Sequence, residues 1–246
     1  DTIAGKEWLK QSADNGYILA CHPYGWLLLQ ESNPLAYIYL KRIVEIDFPL
    51  AYTDYGKCYY YGIGTACDYD EAIKYFKKSI EIGVIENYPS LLKDAYLFMG
   101  YCYDFGKGVS ADYNTAMKFY QKAIDVNNLD GYNQMAYLYA KGRGLKTDFK
   151  EAHRLIDIAI SESSGNPKYL DSKGEFYLLE NKTNEAIEVW NKLKQIAPEV
   201  ETTIDTEFTK KMRSLILGRI DTDIPINPTN NNSKAYVVII ANETYQ

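Results

Sequence analysis

Apolar residues recur along residues 95–128 at the spacing of an α-helix. Met99, Gly100 and Tyr103 lie three and four positions apart, as one buried helix face requires. The glycines of segment 106–108 then interrupt this pattern, because glycine adopts turn conformations at low cost. A second helical spacing follows at Ala116, Phe119, Tyr120 and Ala123. The pattern predicts two helices joined by a glycine turn, and such a hairpin cannot bury both of its apolar stripes alone.

The same pattern returns in residues 51–83 and 131–159. An alanine near the start of each second helix makes the repetition explicit, at intervals of 34 to 44 residues: Ala36, Ala72, Ala116, Ala152 and Ala186. Self-similarity at this period is typical of stacked helical repeats, in which each hairpin buries its neighbour's apolar stripe. The pattern therefore predicts a single array of hairpins.

The repeated motif reads A-x-x-x-L-G-x-x-Y-x-x-G-x-G, an acidic residue, and then K/E-A-x-x-[WFY]-[YF]-x-K-A. This motif resembles Sel1-like repeats, the longer-loop relatives of tetratricopeptide repeats, most closely over residues 51–160. The resemblance implies an all-α fold, a right-handed superhelix of antiparallel helix pairs. It implies no disulfide framework, because the late second-helix positions that carry cysteines in some Sel1-like proteins hold Ser79, Ile80, Ala123 and Ile124 here.

Four stretches depart from the regular motif. Residues 1–20 match the second half of a repeat, so we expect either that a first helix precedes them in the source protein or that this helix caps the stack. Residues 21–50 read as a shortened repeat, and residues 166–198 resemble a tetratricopeptide repeat. Residues 84–94 are an added segment, which we expect to begin a lengthened first helix at Leu91 and to serve either as a binding edge or as a tolerated surface loop.

The C-terminal part changes character. We predict a repeat domain over residues 1–217, closed by an amphipathic capping helix over 201–217, then a linker over 218–232 and a fragment of a following domain over 233–246. Residues 236–240 are a short β-branched run typical of a buried strand, a short extended segment at the end of an otherwise helical chain. This run and the N-x-x-Y that follows resemble the opening strand of the caspase-like fold. That resemblance implies a larger protein whose catalytic His and Cys would lie beyond Gln246.

The composition argues against two classes of protein, those that bind nucleic acid and those that span a membrane. The net charge of −6 argues against a protein that binds the nucleic-acid backbone, and no apolar run reaches the length of a membrane helix. The chain begins at Asp1 rather than Met, so a leader, if one was removed, would favour a periplasmic or secreted location. Cys58 and Cys102 occupy the same repeat position, where we expect small buried hydrophobes rather than redox groups or ligands.

No stretch carries the signature of an enzyme. The two histidines have no cysteine near them in sequence, and the chain contains no nucleophile elbow, P-loop or HExxH motif. The G-x-G turns follow helices rather than strands, so a helix hairpin explains them better than a phosphate loop. We therefore expect no catalytic residue, no metal site and no cofactor within these 246 residues.

The inner groove is the candidate site. In tetratricopeptide-like stacks the first helices line this groove, and the corresponding positions here are rich in aromatic residues. An aromatic groove with scattered charges suits a peptide or a partner protein, because Tyr and Trp are good interface anchors. Three alternatives remain open: a groove that binds carbohydrate or cell wall, a small-molecule hydrolase, and tyrosines that merely pack between repeats. The candidate groove residues are Trp26, Lys57, Tyr60, Tyr61, Tyr101, Asp104, Phe105, Tyr137 and Lys141.

Overall fold

A computed structural model describes residues 2–197, and these residues form an all-α stack of eleven helices. Two single-turn 3-10 helices, Ile18–Ala20 and Pro49–Ala51, precede the second and fourth α-helices. The α-helices are α1 Thr2–Asp14, α2 Cys21–Gln30, α3 Leu35–Val44, α4 Tyr52–Tyr61, α5 Tyr69–Ile85, α6 Pro89–Phe105, α7 Tyr113–Asp125, α8 Leu129–Lys141, α9 Phe149–Glu162, α10 Pro167–Leu179 and α11 Thr183–Ile196.

The helices pair as five consecutive hairpins, α2–α3, α4–α5, α6–α7, α8–α9 and α10–α11. Helices α2, α4, α6, α8 and α10 are called first helices below, and their partners second helices. Each second helix from α3 to α9 also packs against the first helix that follows it, and α1 packs against α2 in the same way. This arrangement confirms the predicted all-α stack of hairpin repeats.

Glycine and aspartate fix the turn inside the regular hairpins. Gly106 ends α6 with φ of +64°, a left-handed conformation that glycine adopts at little cost. Six residues later the Asp112 side chain accepts a hydrogen bond from the backbone N–H of Thr115 and so caps α7. The turns before α5 and α9 are built in the same way. The repeated G-x-G and acidic residue of the motif are therefore a helix stop and a helix start.

Inside a hairpin, a first-helix glycine lies against a large side chain of the second helix. A Cβ at Gly56 would lie 2.7 Å from Cε1 of Phe76, which is closer than atoms pack in proteins. Glycine at this position therefore lets the two helices approach until the large residue is buried. The same relation holds in four of the five hairpins: Gly25 with Leu40, Gly56 with Phe76, Gly100 with Tyr120, and Gly174 with Trp190.

The added segment 84–94 is helical rather than a surface loop. Its first two residues complete α5, and α6 begins at Pro89, two residues before the predicted start at Leu91. Proline is well suited to a first helical turn, because the N–H that it lacks would have no partner there. Only residues 86–88 lie between the helices, so the insertion lengthens both of them.

The four cysteines carry no disulfide. Cys21, Cys58 and Cys102 are buried and only Cys67 is exposed, which confirms Cys58 and Cys102 as small core residues. Burial raises the pKa of the Cys58 and Cys102 thiols to about 12, which keeps them protonated and unreactive at neutral pH. The predicted capping helix, linker and C-terminal strand lie outside the described residues.

Candidate functional site

A chain of polar side chains crosses four consecutive first helices. His22 on α2 places Nε2 3.2 Å from Oδ2 of Asp54 on α4. The ammonium of Lys57, one turn further along α4, donates to Asp54 at 3.1 Å and to Asp94 on α6 at 2.5 Å. Asn128, which caps α8, donates from Nδ2 to Asp94 Oδ1 at 3.3 Å. These five side chains are called the polar relay below.

Two charges at the centre of this relay are buried. Burial favours the neutral form of Asp54, but the hydrogen bond from His22 and the charge of Lys57 outweigh it and lower the pKa of the carboxyl. Burial likewise disfavours the charged form of Lys57, and the two carboxylates more than compensate, so the pKa of its ammonium is raised. Both groups therefore remain ionised, and each depends on the other to remain so.

An open cleft of about 390 Å³ lies over one end of the polar relay. Helices α2, α4 and α6 contribute to it, together with Leu50 from the 3-10 helix before α4. Its α6 wall is made by Ser90, Leu91, Lys93 and Asp94, so the added segment supplies part of this wall. The full set of lining residues is His22, Pro23, Trp26, Leu50, Thr53, Asp54, Ser90, Leu91, Lys93 and Asp94. The cleft thus combines apolar walls with charged groups already held in place.

Aromatic rings continue the surface from this cleft. The Lys57 ammonium lies 5.4 Å from the ring centroid of Phe98, which contacts Tyr61 on one side and Tyr101 on the other. Tyr101 in turn contacts Phe105 at the end of α6, with ring centroids 6.2 Å apart. Tyr61 and Phe105 are 57% and 49% exposed, and Trp26 in the cleft is 44% exposed. Large apolar side chains of this kind, next to fixed charges, are typical of interface anchors.

The structure divides the nine predicted groove residues into three groups. Lys57, Tyr60 and Asp104 are buried and contribute to packing and ion pairs. Tyr101 and Tyr137 are partly buried. Four are exposed to solvent: Trp26, Tyr61, Phe105 and Lys141. Trp26 lies in the cleft, Tyr61 and Phe105 lie along the aromatic surface beside it, and Lys141 lies 4.8 Å from the ring centroid of Tyr137 on α8.

The sequence prediction did not include most of the polar relay. His22, Asp54, Asp94 and Asn128 were absent from it, although each contacts a predicted residue or lies one contact away. A signal for Asp54 was present, since an acid three residues before Lys57 shares one helix face with it. Asp94 carried no such local signal, because its contact with Lys57 depends on how α6 packs against α4.

The middle residue of the G-x-G turn joins neighbouring hairpins. Arg143 donates from Nη1 to Oδ1 of Asp104 at 3.0 Å, and the buried Asp104 also accepts from the hydroxyl of Tyr120. Lys107, at the same turn position one repeat earlier, lies 4.5 Å from the ring centroid of Tyr60. These two turns therefore reach back to the preceding first helix, and the buried Asp104 is a structural ion-pair partner.

Other site types were sought among residues 2–197. No group of three or more His, Cys, Asp or Glu residues in this range is arranged to hold a metal ion. None of the helices described is long and apolar enough to cross a membrane. His153 lies apart from the cleft, with Nε2 3.1 Å from a carboxylate oxygen of Glu180.

Comparison with solved structures supports the fold. A Sel1 repeat protein from Oxalobacter formigenes is 19% identical, with 97% of this chain and 99% of that one covered and a TM-score of 0.57. The protective antigen c5321 of uropathogenic Escherichia coli, which displays an SLR fold, is 20% identical with a TM-score of 0.55. That match covers 77% of this chain but only 41% of the antigen, so this chain spans less than half of its length. At these identities the likeness shows the fold alone.

A search of curated proteins finds no match to this chain. The family comparison does, because the Sel1 repeat model matches residues 1–17, 49–84, 93–128 and 129–164, just over half of the sequence. These segments coincide with α1 and with the hairpins α4–α5, α6–α7 and α8–α9. The chain therefore belongs to the Sel1 repeat family.

Proposed function

We propose that this chain is a Sel1 repeat scaffold that binds a peptide or partner protein on the surface around the cleft. The observation that carries this proposal is the cleft itself, which the exposed Trp26 lines together with Lys93 and Asp94 of the lengthened α6. Sel1 repeats generally serve protein interaction, which agrees with this reading. The partner would place an apolar anchor against Trp26 and lie along the first helices towards Tyr61 and Phe105.

The preorganised charges also support this proposal. Asp94 is already fixed by Lys57 and Asn128, yet about half of its side chain is open to solvent. The Asp94 carboxylate can therefore accept hydrogen bonds from a partner's backbone at little cost in side-chain entropy, and the exposed Lys93 on the same helix can donate to it. An extended peptide presents both donors and acceptors, and the cleft offers both.

A carbohydrate ligand is the alternative function. Sugar binding would be favoured by rings that lie flat and open in the groove. Tyr61 instead packs edge to face with both Phe98 and Tyr60, beside the ion pair of Lys57 and Asp94. This edge-on packing among charges supports the peptide proposal over the sugar proposal.

The test is a selection of peptides from a random display library on the full chain, followed by affinity measurement for the peptides recovered. We expect Trp26→Ala to weaken binding at least tenfold. Trp8→Ala is the matched control, because Trp8 is also exposed but lies on α1, away from the cleft. The experiment contradicts the proposal if no peptide binds, or if the Trp26→Ala chain binds the selected peptides as well as the original chain. Binding of chitin or peptidoglycan fragments that Trp26→Ala abolishes would favour the sugar alternative.

A more specific proposal is that this chain is the recognition region ahead of a caspase-like domain, and this proposal depends on the sequence alone. The residues that suggest it, 233–246, lie outside the described part of the chain, and the family matches end at residue 164. The proposal is supported only by the β-branched run at 236–240 and the N-x-x-Y that follows. Sequencing the reading frame beyond Gln246 tests it, since the absence of a His and a reactive Cys in a caspase-like pattern would contradict it.

A further inference from the structure

Lysine and arginine side chains of this chain lie over aromatic rings of the first helices. A cation within about 6 Å of a ring centroid is attracted by the negative face of the ring. Four examples have distances from 4.5 to 5.5 Å between the cation and the centroid: Lys107 with Tyr60, Lys57 with Phe98, Arg143 with Phe105, and Lys141 with Tyr137. A cation placed over a ring is therefore a recurrent contact of this surface.

Helices α6 and α8 share one pattern but differ where α8 supplies its own cation. Each helix has an aspartate followed seven residues later by a tyrosine, which are Asp94 with Tyr101 on α6 and Asp130 with Tyr137 on α8. Four residues after the tyrosine, α8 has Lys141, whose ammonium lies over the Tyr137 ring. At that position α6 has Phe105. Among the described residues, no cation of this chain lies over Tyr101 or over Tyr61 on α4.

The rings of Tyr61 and Tyr101 are open to solvent on either side of Phe98. Tyr61 contacts Phe98 with ring centroids 5.8 Å apart, and Tyr101 contacts it at 5.3 Å, both with nearly perpendicular planes. Tyr61 is 57% exposed, and Tyr101 is partly exposed. A side chain of a partner can therefore reach both rings.

Carboxylates outnumber ammonium groups around these rings. Asp54 and Asp94 share Lys57, and Asp130 is paired with Lys168, so three carboxylates are neutralised by two ammonium groups when histidine is counted as neutral. Partial burial raises the pKa of both tyrosine hydroxyls. Lys57 opposes this increase at the tyrosine of α4, whereas the charges of Asp94 and Asp130 raise the pKa of both. Both carboxylates therefore act on the space beside the two rings.

We propose that the partner carries an arginine or lysine side chain, which binds against the rings of Tyr61 and Tyr101 near the carboxylates of Asp94 and Asp130. This inference rests on the proposed function, since it specifies the chemistry of the same partner. The partner's cation takes on α6 the role that Lys141 has over Tyr137 on α8. An apolar side chain would gain the ring contacts alone, whereas a cation is also attracted by the excess negative charge.

The test uses three random peptide display libraries that differ only in one central residue, fixed as arginine, leucine or glutamate. Each library is selected on the full chain, and we expect the arginine library to yield the tightest peptides. Replacing that arginine with citrulline, which has nearly the same shape but no charge, should weaken binding of the synthetic peptide about tenfold. Added salt should weaken the arginine peptide more than the citrulline peptide, because salt screens exposed charges.

Variants of the chain locate the binding site of the cation. Tyr61→Leu is expected to weaken binding of the arginine peptide about fivefold, and Tyr61→Phe is expected to have little effect because the ring remains. Tyr17→Leu is the matched control, since Tyr17 is 58% exposed but does not line the cleft. Thermal unfolding of each variant checks that the fold is retained, and the citrulline comparison requires no variant of the chain.

Three results would overturn this inference: equal affinities of the arginine and citrulline peptides, tightest binding from the glutamate or leucine library, or undiminished binding to a folded Tyr61→Leu chain. If Trp26→Ala still weakens binding in those cases, the cleft remains a peptide site and only the cationic partner is wrong. If none of the libraries yields a peptide that binds, the proposed function fails and this inference fails with it.

Discussion

The interiors of the hairpins and the junctions between first helices are built on different principles. In four hairpins the interior repeats one solution, a glycine of the first helix against a large buried residue of the second. The junctions do not repeat. Helices α2 and α4 are joined by His22 and Asp54, α4 and α6 by Lys57 and Asp94, and α8 and α10 by the Asp130 carboxylate, which accepts from Lys168 and Tyr169.

The hairpin interiors therefore serve the fold, whereas the junctions between first helices serve binding. The interior must satisfy similar geometry in every repeat, so glycine recurs at one position of four first helices and faces a large buried residue each time. The junctions between α2, α4 and α6 face the cleft and the aromatic surface, where each repeat can carry its own side chains without disturbing the stack. The polar relay shows the consequence, because it gives the surface a defined arrangement of charges that the repeat motif does not specify. Changes at the two regions should therefore differ in size and in kind.

The largest effect is expected at the centre of the polar relay. Lys57→Ala removes the ammonium that neutralises Asp54 and leaves a buried carboxylate with His22 as its remaining partner. Breaking a buried ion pair on one side is expected to lower the free energy of unfolding by about 3–5 kcal/mol. Urea unfolding followed by circular dichroism measures this change.

Lys74→Ala is the control for that variant, because Lys74 also pairs with an acid three residues away on a helix but is exposed. We expect no measurable loss from it. If the two variants were equally stable, the polar relay would be a surface feature and the contrast between the regions would be wrong.

The next effect lies in a hairpin interior. A methyl group at Gly100 would overlap the ring of the buried Tyr120, so Gly100→Ala is expected to cost about 1–3 kcal/mol of stability. Gly5→Ala is the matched control, since Gly5 also lies within a helix but has open space around it. There the substitution is expected to stabilise the helix by about 0.5–1 kcal/mol. A gain at both positions would show that α6 and α7 are not packed as described.

The sequence predicted the hairpin interiors far better than the junctions between first helices. The hairpin interior depends on short-range signals: helical spacing, glycine at the turn and aspartate at the helix start. Each signal is visible within one repeat, and its recurrence in the next repeat supports it. The junctions depend on contacts between residues about 30 to 40 positions apart, as with His22 and Asp54 or Lys57 and Asp94. Trp26 was predicted because it occupies a repeat position. Asp94 lies in the insertion, and its contact with Lys57 can be recognised only once α6 is placed against α4.

The charges of the junction should also appear in the pH dependence of stability. The folded-state pKa of Asp54 is lowered, so its contribution is fully present above the unfolded-state pKa of about 3.9 and is lost as the pH falls through the folded value. The difference in unfolding free energy between the original chain and Asp54→Asn should therefore shrink in acid, as the carboxyl becomes protonated. One carboxyl changes the slope by at most about 1.4 kcal/mol per pH unit. A difference that stays constant down to pH 2.5 would contradict a stabilised carboxylate.

The smallest effect compares two asparagines that cap first helices. Asn166 caps α10 by accepting from the backbone N–H of Lys168, and among the described residues its side chain makes only that hydrogen bond. Asn128 caps α8 in the same way and also donates across the junction to the carbonyl of Lys93 and to Asp94. Replacing either cap with alanine should cost about 1 kcal/mol, and Asn128→Ala should cost about 1 kcal/mol more. Because the residue type and the cap are matched, the excess measures the junction alone, and equal losses would mean that Asn128 contributes nothing to holding Asp94 in place.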